Sequence, residues 1–241
     1  MTKLTQRQTV QPRTKEALRD LIEDAMQQHG NQCDLNHIDV SLIDDFSYLF
    51  FKSKFNGGIS DWNVLRAKHM NSMFSGSDFD GDISRWNTSK METTEFMFHG
   101  ASFNKDISKW NVSKVESMKL MFAKSKFNGD ISKWGVSSVT NMRGMFSGAR
   151  FNGDVSKWDV SGVLDMCYLF KESDFEGDVS RWERPLNCHD KEIFLNSKIA
   201  KKIIKKDPTF SEIKSYFLAM ELDKTLQGAS TELATHSKVR L

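Results

Sequence analysis

The sequence predicts an α/β solenoid of about six stacked 24-residue coils closed at both ends by helices, and three aromatic ladders predict it. Tryptophans stand at Trp62, Trp86, Trp110, Trp134, Trp158 and Trp182, each 24 residues after the last, and these are all six tryptophans of the chain. A phenylalanine ladder runs in a second register, at Phe50, Phe74, Phe98, Phe122, Phe146 and Phe170, and another in a third, at Phe55, Phe79, Phe103, Phe127, Phe151 and Phe175. A fixed period of this kind marks units that bury their apolar faces only by stacking on their neighbours.

Within one unit, the stretch "FNGDISKW" at 127–134 opens with Asn-Gly-Asp turn chemistry and passes into a segment that reads as a short strand. Ile131 and Trp134 would face opposite sides of a pleated strand, so the chain is expected to turn a corner there. Val115, Met118, Met121 and Phe122 follow a 3, 3, 1 spacing that places them on one face of a short helix. Ser113 with Glu116, and Ser89 with Glu92, have the spacing of a capping box. Parallel strands of successive coils are expected roughly 4.8 Å apart.

Exposed ends of such a stack need atypical caps. Residues 1–33 read as an N-terminal arm and capping helix, with Ala17, Leu18, Leu21, Ile22, Ala25 and Met26 on one face and Gly30 at its end. Residues 34–184 are the repeats. Residues 185–226 form a C-terminal cap of two helices, "HDKEIFLNSKIAKKIIKK" and "DPTFSEIKSYFLAMELDKTL", broken at Pro208, and residues 227–241 have no pattern and read as a loose tail.

Charge is balanced, 34 Lys and Arg against 32 Asp and Glu, so no global field points to nucleic acid or an acidic membrane. The start "MTKLTQRQTVQPRTKEALRDL" lacks the apolar run of a secretion signal, and no stretch has the length of a membrane span. Cys33, Cys167 and Cys188 cannot all pair. A cytoplasmic, monomeric protein without a membrane partner is the expectation.

The consensus "FNGDISKWxVSxVTxMxxMF" resembles the repeat of the BspA-like leucine-rich-repeat family, known also from mycoplasma surface lipoproteins. The stretch "CDLNHIDVSLIDDFSYLF", 33–50, looks like the usual first unit of that family, and the resemblance covers about residues 33–184. The period lies in the 20 to 29 residue range of leucine-rich-repeat-type solenoids. The resemblance implies a non-enzymatic solenoid used for protein binding and, in exported members, adhesion to host proteins. Some relatives belong to phages or mobile elements, and in that setting the expected target is a host defence or nucleic-acid-processing complex.

Two charged ladders follow the same register. Asp82, Asp106, Asp130, Asp154 and Asp178 read as turn carboxylates that accept local backbone N–H bonds, with calcium as the rival role. Three residues after each stands a basic side chain, Arg85, Lys109, Lys133, Lys157 and Arg181, with Asp61 as the odd first member. This ladder either compensates the carboxylates or forms a positive stripe for an acidic protein surface. Lys198, Lys201, Lys202, Lys205 and Lys206 add a basic amphipathic cluster beside Ile199, Ile203 and Ile204. Thr88, Thr94, His99 and Lys105 make the third unit irregular.

No phosphate loop, nucleophile elbow or zinc spacing is present, and the histidines are scattered along the chain. Neither a catalytic residue nor a cofactor or metal ligand is assigned. The function expected is protein binding through the basic ladder and the C-terminal lysines. Nucleic-acid binding through the same ladder, or adhesion by a chain shorn of its leader, are the alternatives.

Overall fold

The computed structural model describes residues 9–238, with the side chains of 9–228. Its hydrogen bonds keep the 24-residue register of the sequence. Parallel bridges join Asp45, His69, Thr93, Ser117, Asn141, Asp165 and His189, one residue per unit. Beyond each bridge, alternate amides donate to the next unit, as in Phe46 to His69 O, Tyr48 to Asn71 O, Phe50 to Met73 O and Lys52 to Ser75 O, at 2.8–2.9 Å. The same alternation recurs up to Glu172 N and Leu195 O, the pattern of a parallel pair.

These bonds run through the stretch where the apolar spacing predicts a short helix. Among the described residues, no α-helix lies between His29 and Lys198. The chain there is a succession of tight turns instead, with Met121 N donating to Met118 O and Ser125 N to Phe122 O. Leu120 and Lys124, the third residues of these turns, have φ of 54° and 56°, as a type II turn requires. Helix and turn series both bring residues three apart to one side, so Val115, Met118 and Met121 fit either. A helix would spend the amides within its own turn, whereas here alternate amides bind the neighbouring unit.

The positive φ recurs in every unit, from Tyr48 and Lys52 to Glu192 and Asn196. Glycine relieves it at Gly76, Gly100, Gly144 and Gly148 only. At the other sites a side-chain-bearing residue is held in the left-handed region at a cost of about 1–3 kcal/mol, offset by the bonds to adjacent units.

The "ISKW" segment is likewise a turn rather than a strand. Trp134 N donates to Ile131 O at 3.1 Å, and the Asp130 carboxylate accepts from Ser132 N at 2.9 Å. Pairing has moved to the opposite half of the unit, because the turn bond and the aspartate already engage this half.

Inside, the three aromatic ladders are fully packed. Rings of the Phe50 to Phe194 column lie near-parallel, 5.5–5.9 Å apart. Trp62, Trp86 and Trp110 stack at 6.3–6.4 Å, and Trp158 stacks on Trp182 at 6.5 Å. Each indole N–H donates to a carbonyl one unit back, as Trp110 does to Ile83 O at 3.1 Å, which satisfies the one polar atom of a buried tryptophan. On the rim, the Asn104 carboxamide accepts from Asn128 N, and the Asn128 carboxamide from Asn152 N, at 2.7–2.8 Å. A side chain thus replaces a backbone carbonyl as the tie between units.

The helix α1, Lys15–His29, is capped by Thr14, whose hydroxyl accepts from Ala17 N, and buries Leu18 and Ile22 in the common core. Val10 pairs with Ile38 beside it, and Lys15 reaches Asp45 at 2.8 Å. At the other end the repeat continues past Pro185, since His189 takes the last bridge and Phe194 stacks on Phe170 at 5.8 Å. Of the first predicted C-terminal helix only α2, Lys198–Lys202, is helical. The second, α3, spans Phe210–Lys238 and so extends through 227–238, where the pattern predicts a loose tail. Residues 1–8 of the predicted arm and 239–241 of the tail lie outside the described residues.

Phe210, the first residue of α3, stacks on Trp182 and lies 6.4 Å from Phe194, covering two aromatic columns at once. Thr209 and Glu212 form a reciprocal cap, with Glu212 N donating to the threonine hydroxyl and Thr209 N to the carboxylate. Lys205 bonds the same carboxylate. Its hydrogen bond, followed by that of the Thr209 amide, lowers the Glu212 pKa to about 2. A depressed acid stabilises the fold above its unfolded value, near 4.5, and loses that contribution as pH falls toward 2. The Glu212→Gln variant should therefore melt below the parent at pH 6, and the gap should close between pH 4.5 and 2. A constant gap across that range would remove the charged cap from the account.

Candidate protein-binding surface

The turn that opens each unit positions both charged ladders. Asp82, Asp106, Asp130, Asp154 and Asp178 each accept from the amide two residues on, at Ser84, Ser108, Ser132, Ser156 and Ser180, over 2.7–2.9 Å. This amide, then the serine hydroxyl, holds the carboxyls of Asp82, Asp106, Asp130 and Asp154 below the usual carboxylate range. The cation three residues on adds a smaller pull in the same direction. Among the described residues, no group of three or more His, Cys, Asp or Glu is arranged to hold a metal ion.

Arg85, Lys109, Lys133, Lys157 and Arg181 are all exposed and follow one another at the unit repeat. Their partners in charge are the carboxylates of their own turns, without a direct ion pair among the described residues. The turn fixes the backbone under each cation and leaves its amine in water. The stripe is therefore an ordered row of cations beside an ordered row of anions.

The C-terminal lysines divide. Lys202 pairs with Glu176 at 2.8 Å, and Lys205 bonds Glu212, so both act in closing the end of the molecule. Lys198, Lys201 and Lys206 are exposed. The irregular third unit is structural as well: buried Thr88 accepts from Asn111 N and donates to Asn111 O, and Thr94 donates to Ser117 O.

A second charged surface escapes the periodicity, on the face that carries the parallel bridges. Arg143 lies over the Tyr168 ring at 4.8 Å and Lys171 at 5.2 Å, and Lys119 lies over Phe96 at 5.8 Å. These positions differ from unit to unit, with Ser72, Phe96, Leu120, Gly144 and Tyr168 in one register, so no recurring motif announces them.

Among the described residues, no helix is long and apolar enough to cross a membrane. Cys33, Cys167 and Cys188 are buried, and burial pushes the Cys167 and Cys188 thiols up, which makes those two poor nucleophiles.

Bridges at one position per unit, buried aromatic columns and capped ends define a repeat protein whose outward side chains are free to vary. The sequence pattern of the family described as "Mycoplasma protein of unknown function, DUF285" matches residues 17–126 and again 102–206, and the chain belongs to that family. No curated protein and no solved structure matches it.

Proposed function

We propose that this chain is a non-enzymatic binding protein, a solenoid of the BspA-like leucine-rich-repeat kind that holds another protein by an acidic surface. The observation that carries the reading is the exposed row Arg85, Lys109, Lys133, Lys157 and Arg181, set on a framework whose described buried side-chain polar atoms all have partners. A preorganised surface loses little conformational entropy on binding. Cations repeated at one spacing present a defined line of charge to a partner. Three cysteines without the spacing of a disulfide framework suit the cytoplasm. In a phage or mobile element, the partner proposed is a host defence or nucleic-acid-processing complex.

Reversing Lys109, Lys133 and Lys157 to Glu tests the stripe. The chain, immobilised and exposed to extract of its natural host, should retain an acidic protein identifiable by mass spectrometry. The triple variant should lose it by at least tenfold while its circular dichroism stays unchanged. Equal retention by both would end the role of the stripe. The basic row also favours a second reading, nucleic-acid binding, for which affinity for random duplex should fall steeply from low to moderate salt.

A further inference from the structure

We infer that α3 joins two copies of this chain, the exposed half of the helix in one copy lying antiparallel against its equivalent in the other. This surface is separate from the cation row and does not depend on it.

The two ends of α3 use opposite faces. Ile213 is buried at the end of the solenoid, and Tyr216 and Phe217 pack partly on the core. From Leu218 to Gly228 every residue is exposed. Leu222 follows Ile213 by nine residues, about two and a half turns, and so stands on the opposite side of the helix. Leu218 and Leu226, one turn before and after, share that side, and Leu218, Leu222 and Leu226 are 50%, 62% and 58% exposed. A helix that seats Ile213 on its own solenoid turns this stripe away from it. The stripe is therefore covered by another molecule.

Its spacing identifies that molecule. Ala219, Leu222, Leu226, Ala229 and Leu233 recur at intervals of 3, 4, 3 and 4, the repeat by which one helix packs along another. Neither of the other described helices offers a free stripe of this kind, since α1 buries Leu18 and Ile22 and α2 has five residues. The order Ala219, Leu222, Leu226, Ala229 reads the same from either end, about a centre at Lys224. Two copies laid antiparallel about that centre set Ala219 of one against Ala229 of the other, and Leu222 against Leu226. The stripe thus complements itself, as a two-fold interface requires.

Charge permits the same pairing. About that centre Glu221 faces Gln227 and Asp223 faces Thr225, so neither carboxylate meets another. Ser211 and Ser215, three turns and two turns before Leu222, are exposed on its side, which leaves a path for the far end of the second helix. A lipid surface fits less well, because a helix lying on one carries Lys and Arg beside its apolar stripe, and here Glu221 and Asp223 stand there.

Composition points the same way. Thr225, Gly228, Ser230, Thr231, Thr235 and Ser237 are weak helix formers, and most helical stability in proteins comes from packing. The helix nevertheless continues to Lys238, which pairing along the stripe supports. A pair joined at α3 also carries two cation rows, so a partner with two matching surfaces would be held by both at once.

Light scattering on the full chain at micromolar concentration should give twice the mass of one chain. The double variant Leu222→Glu, Leu226→Glu, with both changes on exposed sites, should give the single-chain mass and leave the melting of the solenoid unchanged. A chain ending at Phe217 should behave as the double variant does. Under mild oxidation a Leu222→Cys copy should cross-link to a Leu226→Cys copy more than either does to itself. A parent of single-chain mass, a double variant that stays paired, or preferential cross-linking of each cysteine variant to itself would each overturn the antiparallel pair. So would capture of a host protein through Leu222 and Leu226 by a parent of single-chain mass, which would give the stripe to a different partner.

Discussion

Trp110→Ala should cost about 3–5 kcal/mol, the range for emptying a buried large aromatic site. The indole is stacked on Trp86 at 6.3 Å and lies 6.2 Å from Phe98, so its removal opens a gap between two columns. It also takes the indole donor from the Ile83 carbonyl, which keeps the Trp86 amide as a donor at 3.2 Å. Trp110→Phe should lie between, keeping ring contact and losing the hydrogen bond. Urea unfolding followed by circular dichroism measures both. A cost below about 1 kcal/mol for the alanine would show that the columns do not form the core, because surface substitutions fall in that range.

Removing residues 111–134 should yield a folded, shorter protein, whereas removing only 111–122 should yield an unfolded one. The first deletion joins Trp110 to Gly135, the residue that follows the next tryptophan, and every ladder resumes in register. Asn87 and Gly135 then stand one period apart from each other across the seam, and the bridge from Thr93 passes to Asn141. The second deletion sets Ala123 where Asn111 stood and shifts each aromatic column by half a unit against the one before. In an array held by nearest-neighbour contacts, loss of one whole unit subtracts one intrinsic and one interface contribution. Loss of half a unit breaks the interfaces on both sides. Gel filtration and cooperative melting separate the outcomes, and a cooperative melt for the 12-residue deletion would refute the dependence on register.

The sequence made the interior legible because burial imposes a period on apolar residues, and Trp62 to Trp182 could hardly be placed otherwise. It did not reveal which backbone carries them. Val115, Met118 and Met121 are three apart in a helix and in a series of type II turns, and the difference lies in where Leu120 N finds its acceptor, at Arg143 O in the next unit. No residue near Leu120 encodes a partner 23 positions away. Asn104, Asn128 and Asn152 read as turn formers for the same reason: their carboxamides accept from the unit that follows. Asp106 and Asp130 were legible, because their acceptor role is satisfied two residues on. The basic ladder was legible as a row, and its position in water follows from the turn beneath it. The cations over Tyr168 were not, since these positions differ between units and only the fold brings Arg143 and Lys171 to one ring.

The stacked indoles have an optical consequence. Trp62 and Trp86, and Trp86 and Trp110, lie 6.3–6.4 Å apart and almost parallel, so excitation absorbed by one migrates to the next before emission. Because the rings are almost parallel, that migration keeps the polarisation of the absorbed light. The protein thereby carries an intrinsic reporter of its own integrity, in which emission loses anisotropy when the rings separate and turn independently, without any label attached.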